Sequence, residues 1–372
     1  MRKKIKFVSH DKSEFFAVLR RRVDQYFQEN QRSTKGNERM IVKTIVMMSL
    51  YFVPYALIMS GALSLWACWA LAVLMGIGVA GIGLSIMHDA NHGSLSDRNW
   101  INNVLGFSLN VVGGNAFTWK LQHNVLHHTY TNIYEHDDDL DAGKVVRLSP
   151  HAPYHSFHRY QHWYAFPLYG LVTLSWVVMK DFLKIVRYNK MGLVRKNFAG
   201  EVAIIVATKL FYVFYMIVLP IVVLDLTAAQ FLIGFLSLHL TAGVILSTVF
   251  QVAHVIEDTQ HPMPAPDGTV ENQWAVHQLV TTANFARSNR LLSWYVGGLN
   301  YQVEHHLFPN ICHVHYRDLS EIVKQTAEEF DLPYLDQPTF GSALRSHARL
   351  LKEYGKPPVK SGRVEEPMAV SA

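Results

Sequence analysis

Charged residues recur along the first 43 positions and then stop: from Thr44 to Met87, 44 residues pass without an Asp, Glu, Lys or Arg. A second uncharged run extends from Leu226 to Ile256, and a third from Leu210 to Leu224 continues N-terminally past Lys209 to Val202. A bilayer-spanning helix needs only about 20 apolar residues. The first run is therefore twice one span, with Ser60-Gly61 and Ser64 placed to turn the chain. The pattern predicts helices over about 42–62 and 65–87, then a second pair over about 202–224 and 228–251, broken at Asp225-Leu226-Thr227. Each pair reads as a hairpin. Basic residues precede both pairs (Arg20, Arg21 and Arg22; Lys184, Arg187 and Lys190), and the two short outer turns carry none. The positive-inside rule then places both termini and the long middle segment in the cytoplasm. The fold class expected is all-α: a polytopic membrane protein of four transmembrane helices with a helical cytosolic cap.

Two more stretches are apolar but short: Trp163 to Met179, interrupted by Pro167, and Ile101 to Trp119, which holds Gly113-Gly114. They read as interfacial or re-entrant, because a single extra crossing would split the flanking regions between opposite membrane faces. Residues 13–27 place Phe16, Leu19, Val23 and Phe27 on one helical stripe. That suits either a surface helix on an anionic leaflet or docking against the protein's own cap. From Arg317 to Glu353 the pattern gives two amphipathic helices. The organisation expected is an N-terminal segment (1–40), one domain (41–355, its cap formed by 88–200 and 252–355) and a disordered tail (356–372).

Composition agrees. Half the residues are apolar and 17% are charged, against roughly 25% charged in an average soluble domain. Two cysteines, Cys68 and Cys312, make no disulfide framework. Charges recurring from Arg2 to Arg39 leave no place for a cleavable signal peptide. A secreted, disulfide-stapled or disordered protein is excluded, and no nucleic-acid partner is expected.

The chemistry lies in the 20 histidines. At that frequency chance supplies roughly one His-His and one His-x-x-x-His pair, so spacing alone decides little. Location decides more. His88 and His92 begin where the 44-residue run ends, on one helical face. His123, His127 and His128 add a second same-face pair and a neighbour rotated by about 100°. Gln302, His305 and His306 repeat that geometry, and His254 closes the fourth helix as His88 closes the second. Eight imidazoles from four segments suit iron, copper or zinc, and are too many for one ion. No Cys-x-x-Cys points to an iron–sulfur cluster or zinc ribbon. A dimetal site beside acyl chains suggests oxygen activation on a hydrophobic substrate.

At these residues the sequence resembles a family. HDANH, QHNVLHHTYTN and NYQVEHHLFP are similar to the three histidine boxes of the membrane-bound fatty acid desaturases, and the likeness runs from about residue 40 to 330. The resemblance implies two non-haem iron ions held by those histidines, O2 as co-substrate, and a tunnel for a fatty acyl chain linked to CoA, a carrier protein or phospholipid. Gln302 in place of a histidine resembles the front-end branch, which inserts a cis double bond between an existing one and the carboxyl end. Many members of that branch carry a fused cytochrome b5 domain with a His-Pro-Gly-Gly motif. That motif is absent here, so the expected electron donor is a separate ferredoxin or cytochrome b5. A lone desaturase leans towards a bacterial inner membrane over the endoplasmic reticulum.

Other positions carry more than one reading. Gln302 could ligate iron, hold a water or brace a neighbour. Asp89 and Glu304 could orient an imidazole, and Gln251 could bridge a water to the metal; salt-bridge or interfacial roles suit all three as well. His151, His155, His158 and His162 share a helical face and look as metal-competent as the boxes, but they lead into the interfacial stretch. Asp137-Asp138-Asp139 with Asp141 reads as a solvated loop before a cation site or partner contact. His239, about 22 Å from His254 at 1.5 Å per residue, suits an interhelical hydrogen bond. Gly76, Gly78 and Gly81 match a dinucleotide-binding pattern inside a membrane span, where helix packing is their better role. Two rivals to a desaturase remain: a hydroxylase of alkanes, sterols or carotenoids, and a non-catalytic membrane metal-binding or transport protein.

Overall fold

A computed structural model describes residues 5–8, 14–195 and 197–358. The chain starts with strand β1 (Lys6–Val8) and helix α1 (Phe15–Glu29). Among the described residues four helices are long and apolar enough to cross a membrane: α2 (Glu38–Met59), α3 (Leu65–Asn91), α4 (Phe198–Val223) and α5 (Ala228–His254). Beyond them lie β2 (Thr269–Glu271), β3 (Asn284–Phe285), α6 (Gln302–Leu307), α7 (Tyr316–Glu329), β4 (Asp336–Gln337) and α8 (Phe340–Tyr354). The disordered tail expected at the C-terminus lies outside the described residues from position 359 onward.

The four spans fall where the uncharged runs put them, with ends set by caps. Asn37 opens α2 by accepting a hydrogen bond from the Arg39 amide, which starts the helix four residues before the expected 42. Ser64 caps α3, and Thr227 with Gln230 forms a capping box at α5. Burial then ranks the spans. In its most apolar stretch α3 is 72% buried, against 22%, 22% and 33% for α2, α4 and α5. It is the central helix and the other three face outward.

Small residues permit that position. A Cβ on Gly76 would strike the Leu238 carbonyl of α5, and one on Gly78 would strike the Leu50 carbonyl of α2. The glycines serve close helix packing. The expected pairing into two hairpins holds unevenly. Helix α3 packs along α2, but α5 packs chiefly along α3 and the Gln161–Tyr169 segment. It meets α4 through the Tyr212–His239 hydrogen bond, 2.8 Å.

The 163–179 stretch belongs to a bent pair, Ser156–Tyr169 and Val172–Lys190, folded by 66°. The pair counts as a fifth span only if the two limbs are taken together. The 101–119 stretch breaks into Asn99–Gly106, Ser108–Val111 and the start of Ala116–Lys120. At the N-terminus, α1 is docked: Phe15, Leu19, Val23 and Phe27 are buried with Tyr316, Leu319 and Val323 of α7, and Arg22 pairs with Glu329 at 2.6 Å. Phe15, not Phe16, completes the most buried stripe; Phe16 instead packs on Trp274 and Phe308.

Two helices continue past the apolar runs into histidines. Helix α3 widens into a π-helical stretch over Ile82–Met87, then carries His88 and Asn91. Helix α5 ends on His254 itself. Widened turns of this kind concentrate at functional sites, and a second spans Leu121–His127. The histidines therefore ride on packed helices whose positions are fixed by the spans.

Candidate metal centre

All eight box and helix-end histidines converge. His88, His92, His123 and His305 offer ring nitrogens within 4.8 Å of one another; so do His127, His254 and His306, and so do His128, His305 and His306. Each of the eight is at most 8% exposed. His88 and His92 arrive on α3, His254 on α5 and His305 and His306 on α6, while His123 and His127 ride the second π-helical stretch.

The outer ring nitrogens are committed to other groups. His127 Nδ1–H donates to both oxygens of Asp137 at 3.0 Å, and His123 Nδ1–H to Asp139 at 3.0 Å. His306 Nδ1–H donates to the Gln278 carbonyl oxygen at 2.9 Å, and His305 Nδ1–H to the Tyr316 hydroxyl at 3.2 Å. His254 Nδ1 sits 3.4 Å from the Thr281 carbonyl. With Nδ1 protonated for those acceptors, Nε2 of each ring is a bare lone pair.

Those inner atoms have nothing to bind. Nε2 of His92, His127, His254, His305 and His306 is buried without a hydrogen-bond partner. His123 Nε2 lies 3.3 Å from the Nε2 atoms of both His88 and His128. Lone pairs aimed at one another in a dry interior are costly unless a cation joins them. Protonation is suppressed too. Burial pushes His92, His128, His305 and His306 well below the ordinary imidazole range. It lowers His123 to about 3 despite Asp139. His127 alone is raised: burial pulls it down, but the Asp137 carboxylate outweighs that. Imidazoles that present free Nε2 atoms, with carboxylates behind two of them, are the form that transition metals bind. The residues fit two such ions.

The orienting groups come from places where the sequence carries little signal. The acidic cluster, expected to be a solvated loop, is folded inward. Asp137 and Asp138 are 3% and 2% exposed. Asp138 is held by Lys184, by Arg187 at 2.7 Å and by the Tyr188 hydroxyl at 2.5 Å. The cluster is neutralised inside the fold, because its carboxylates serve imidazoles and basic side chains. Gln278 and Tyr316 have no motif around them; Thr131, inside the second box, donates to Gln278 at 2.9 Å. Trp119 stacks on His123 with ring centres 4.5 Å apart, and Phe250 lies against His127 and His254.

The remaining sequence candidates separate. Gln302 is buried at the first residue of α6, one turn before His305 and His306. Gln251 is buried in α5 with its carbonyl oxygen unpartnered. Glu304 takes a structural role, the second of its two readings: its carboxylate accepts from Asn284 and from the Tyr334 hydroxyl, both at 2.9 Å. It braces α6 against β3 because that face of the turn points away from the histidines. Asp89 is buried beside His88, with Oδ1 3.7 Å from the His88 Nδ1. His151, His155, His158 and His162 do not form one helical face, because the chain there is extended and then turns through Ser156–Tyr160. His158 donates to the Lys144 carbonyl at 2.9 Å and His151 to that of His261 at 2.8 Å. His239 makes the expected interhelical bond to Tyr212 and also meets Thr173.

Comparison with known proteins is consistent with this geometry. A family profile described as "Fatty acid desaturase" matches residues 64–338. The sn-1 linoleoyl-lipid 6-desaturase of Arthrospira platensis is 34% identical over 342 residues, 91% of this chain and 92% of that protein. The enzyme of the same description from a Synechocystis strain is 36% identical, over 95% of this chain and 98% of its own. An acyl-lipid (8-3)-desaturase of Physcomitrium patens is 37% identical over 94% of this chain but 74% of its own length.

Proposed function

The chain belongs to the fatty acid desaturase family, and on that premise we propose that it is a front-end acyl-lipid desaturase whose eight converging histidines hold two iron ions. It is an oxidoreductase of fatty acyl chains. The single observation that carries the metal assignment is the set of buried Nε2 lone pairs facing one another without partners.

In this reading His88, His92, His123 and His305 hold one ion, and His127, His254 and His306 the other. His128 stands between them, with its ring near both His305 and His306. Gln251, with its amide oxygen unpartnered, and Gln302, buried one turn before His305 and His306, are the candidates to hold a water or add a ligand. Two iron ions held there would supply, with O2, the oxidising power to take one hydrogen from each of two adjacent methylenes, two electrons and two protons from an outside donor completing the reduction of O2 to two waters. The protein's own part is to hold and insulate. Asp137, Asp139, Gln278 and Tyr316 fix the outer nitrogens, so that each ring presents Nε2. Trp119 and Phe250 wall the site with apolar surface and keep water from the reacting carbons.

Front-end regiochemistry rests on the Gln302 form of the third box and on the relatives described as 6- and (8-3)-desaturases. Those relatives act on lipid-linked chains by description, which favours a glycerolipid over CoA or a carrier protein as the acyl holder here. The electron donor is a separate ferredoxin or cytochrome b5. Residues 41–355 act as one unit, with the metal centre and both termini on the cytoplasmic face, a placement supported by the basic residues before each pair of spans.

The test is lipid analysis of a host expressing the protein with an electron donor. A new cis double bond on the carboxyl side of an existing one, in membrane glycerolipid, is the expected product. A bond inserted only on the methyl side would overturn the front-end assignment and leave the family standing.

A further inference from the structure

One histidine ligand has a support unlike the others, and it begins in the membrane. Lys43 lies in the first turns of α2 and is 3% exposed. A lysine buried there is costly unless its charge is answered. Its ammonium donates to His313 Nε2 at 2.6 Å and lies 5.4 Å over the Trp294 ring. Because Nε2 accepts, the His313 proton sits on Nδ1, which donates to Asp89 Oδ2 at 2.8 Å. The Cys312 thiol and the His313 amide converge on the same oxygen, at 3.0 and 3.2 Å. Three donors thus pin Oδ2, and Oδ1 is turned towards His88 Nδ1, 3.7 Å away and otherwise unpartnered.

We propose that Lys43, His313 and Asp89 form a buried relay that positions the His88 imidazole, coupling the first membrane-spanning helix to the metal centre. The relay rests on the reading that the histidine cluster binds metal. Its members are positioning residues. Asp137 and Asp139 reach their imidazoles from one sequence-local loop. Asp89 turns Oδ1 towards its imidazole at 3.7 Å while Cys312 and His313, the latter held by a lysine of α2, clamp its other oxygen. The relay also explains why a charged residue is retained in a helix otherwise free of charge from Thr44 onward. Lys43 balances the Asp89 charge without touching it, and the intervening His313 stays neutral with a defined tautomer. A displacement of α2 in the membrane would therefore shift the orientation of His88.

Cobalt(II), which reports its ligands by visible absorption, serves as the probe on purified full-length protein in detergent. Wild type is expected to bind two equivalents. Lys43→Met and His313→Gln should each weaken one equivalent by about 10–100-fold, as loss of an outer partner of a ligating histidine does. They should alter that equivalent's absorption band and leave the other unchanged. Lys43→Arg should restore much of the affinity. His158→Gln, a buried histidine outside the relay, controls for a general loss of packing and should retain both equivalents. Lys43→Met and His313→Gln proteins that bind two cobalt ions with wild-type affinity and spectra would overturn the relay. So would a third wild-type equivalent that disappears in His313→Gln, since Asp89, Cys312 and His313 would then be a metal site in their own right. Wild type that binds no cobalt would instead overturn the metal reading, and the relay with it.

Discussion

Two stretches of this chain carry the same histidine spacing and do opposite things. His88/His92 and His123/His127 are pairs four residues apart, as are His151/His155 and His158/His162. In the first stretch the inner nitrogens of the rings are bare and meet at one centre. In the second, His158 and His151 spend ring nitrogens on the carbonyls of Lys144 and His261. Spacing is shared; what differs is the element beneath it. The first pair continues α3, the most buried span, and the second pair rides a π-helical stretch packed beside it. The 151–162 segment enters its helix late, through an extended chain, so its histidines share no face, and two of the rings settle on backbone carbonyls. A four-residue repeat predicts a ligand pair only where a helix already fixes both residues and outer groups fix the tautomer.

Removing ligands should break the contrast most severely. His305→Ala/His306→Ala is expected to abolish both metal uptake and product, measured by metal analysis and lipid profiling. His151→Ala/His158→Ala should keep two metal equivalents. Equal metal loss in the two double variants would erase the distinction. The next effect tests the outer groups. Asp137→Asn should lower metal affinity by about 10–100-fold, read by chelator competition, with the helical content unchanged. Asp138→Asn, whose carboxylate meets Lys184 and Arg187 instead, should leave affinity near wild type and lower the melting temperature.

A smaller effect should come from the structural histidines alone. His158→Ala leaves the Lys144 carbonyl and the His155 amide without their partner, at a cost of about 1–3 kcal/mol in stability. Denaturation in detergent with metal bound would show it. The last effect is a pH dependence, spread over more than two pH units. Burial holds His347 down to about 4, where it bridges the Val255 carbonyl and the Tyr169 hydroxyl. A histidine lowered in this way contributes stability that is complete above its ordinary value near 6.5. The contribution is lost as pH falls from there through about 4, at no more than about 1.4 kcal/mol per pH unit. Melting of metal-stripped protein across that window should be steeper for wild type than for His347→Gln.

Much of this was legible because the signals are local. Uncharged runs mark the spans to within a few residues, since hydrocarbon tolerates no alternative. The eight histidines stand out because four segments place them at helix ends. The orienting groups were not legible, for a physical reason. Asp137 and Asp139 look like a solvated acidic loop until the chain folds them under His127 and His123. Gln278 and Tyr316 lie in unremarkable amphipathic stretches, and their partners are 28 and 11 residues away in sequence. Glu304 carries two readings in the sequence, and only the fold shows its carboxylate on Asn284 and Tyr334. How α4 and α5 pack is less legible, because α5 lies chiefly along the glycine-bearing α3 and the Gln161–Tyr169 segment.

The central claim is that this histidine cluster desaturates acyl chains. It is tested most directly by gas chromatography–mass spectrometry of fatty acid methyl esters from cells fed oleate, linoleate or α-linolenate. The cells would express the chain with a co-expressed electron donor, beside the His305→Ala/His306→Ala variant. The account predicts a new ester lighter than its precursor by two hydrogens, absent from the variant. A product heavier by one oxygen, or the same profile from protein and variant despite bound iron, would contradict it.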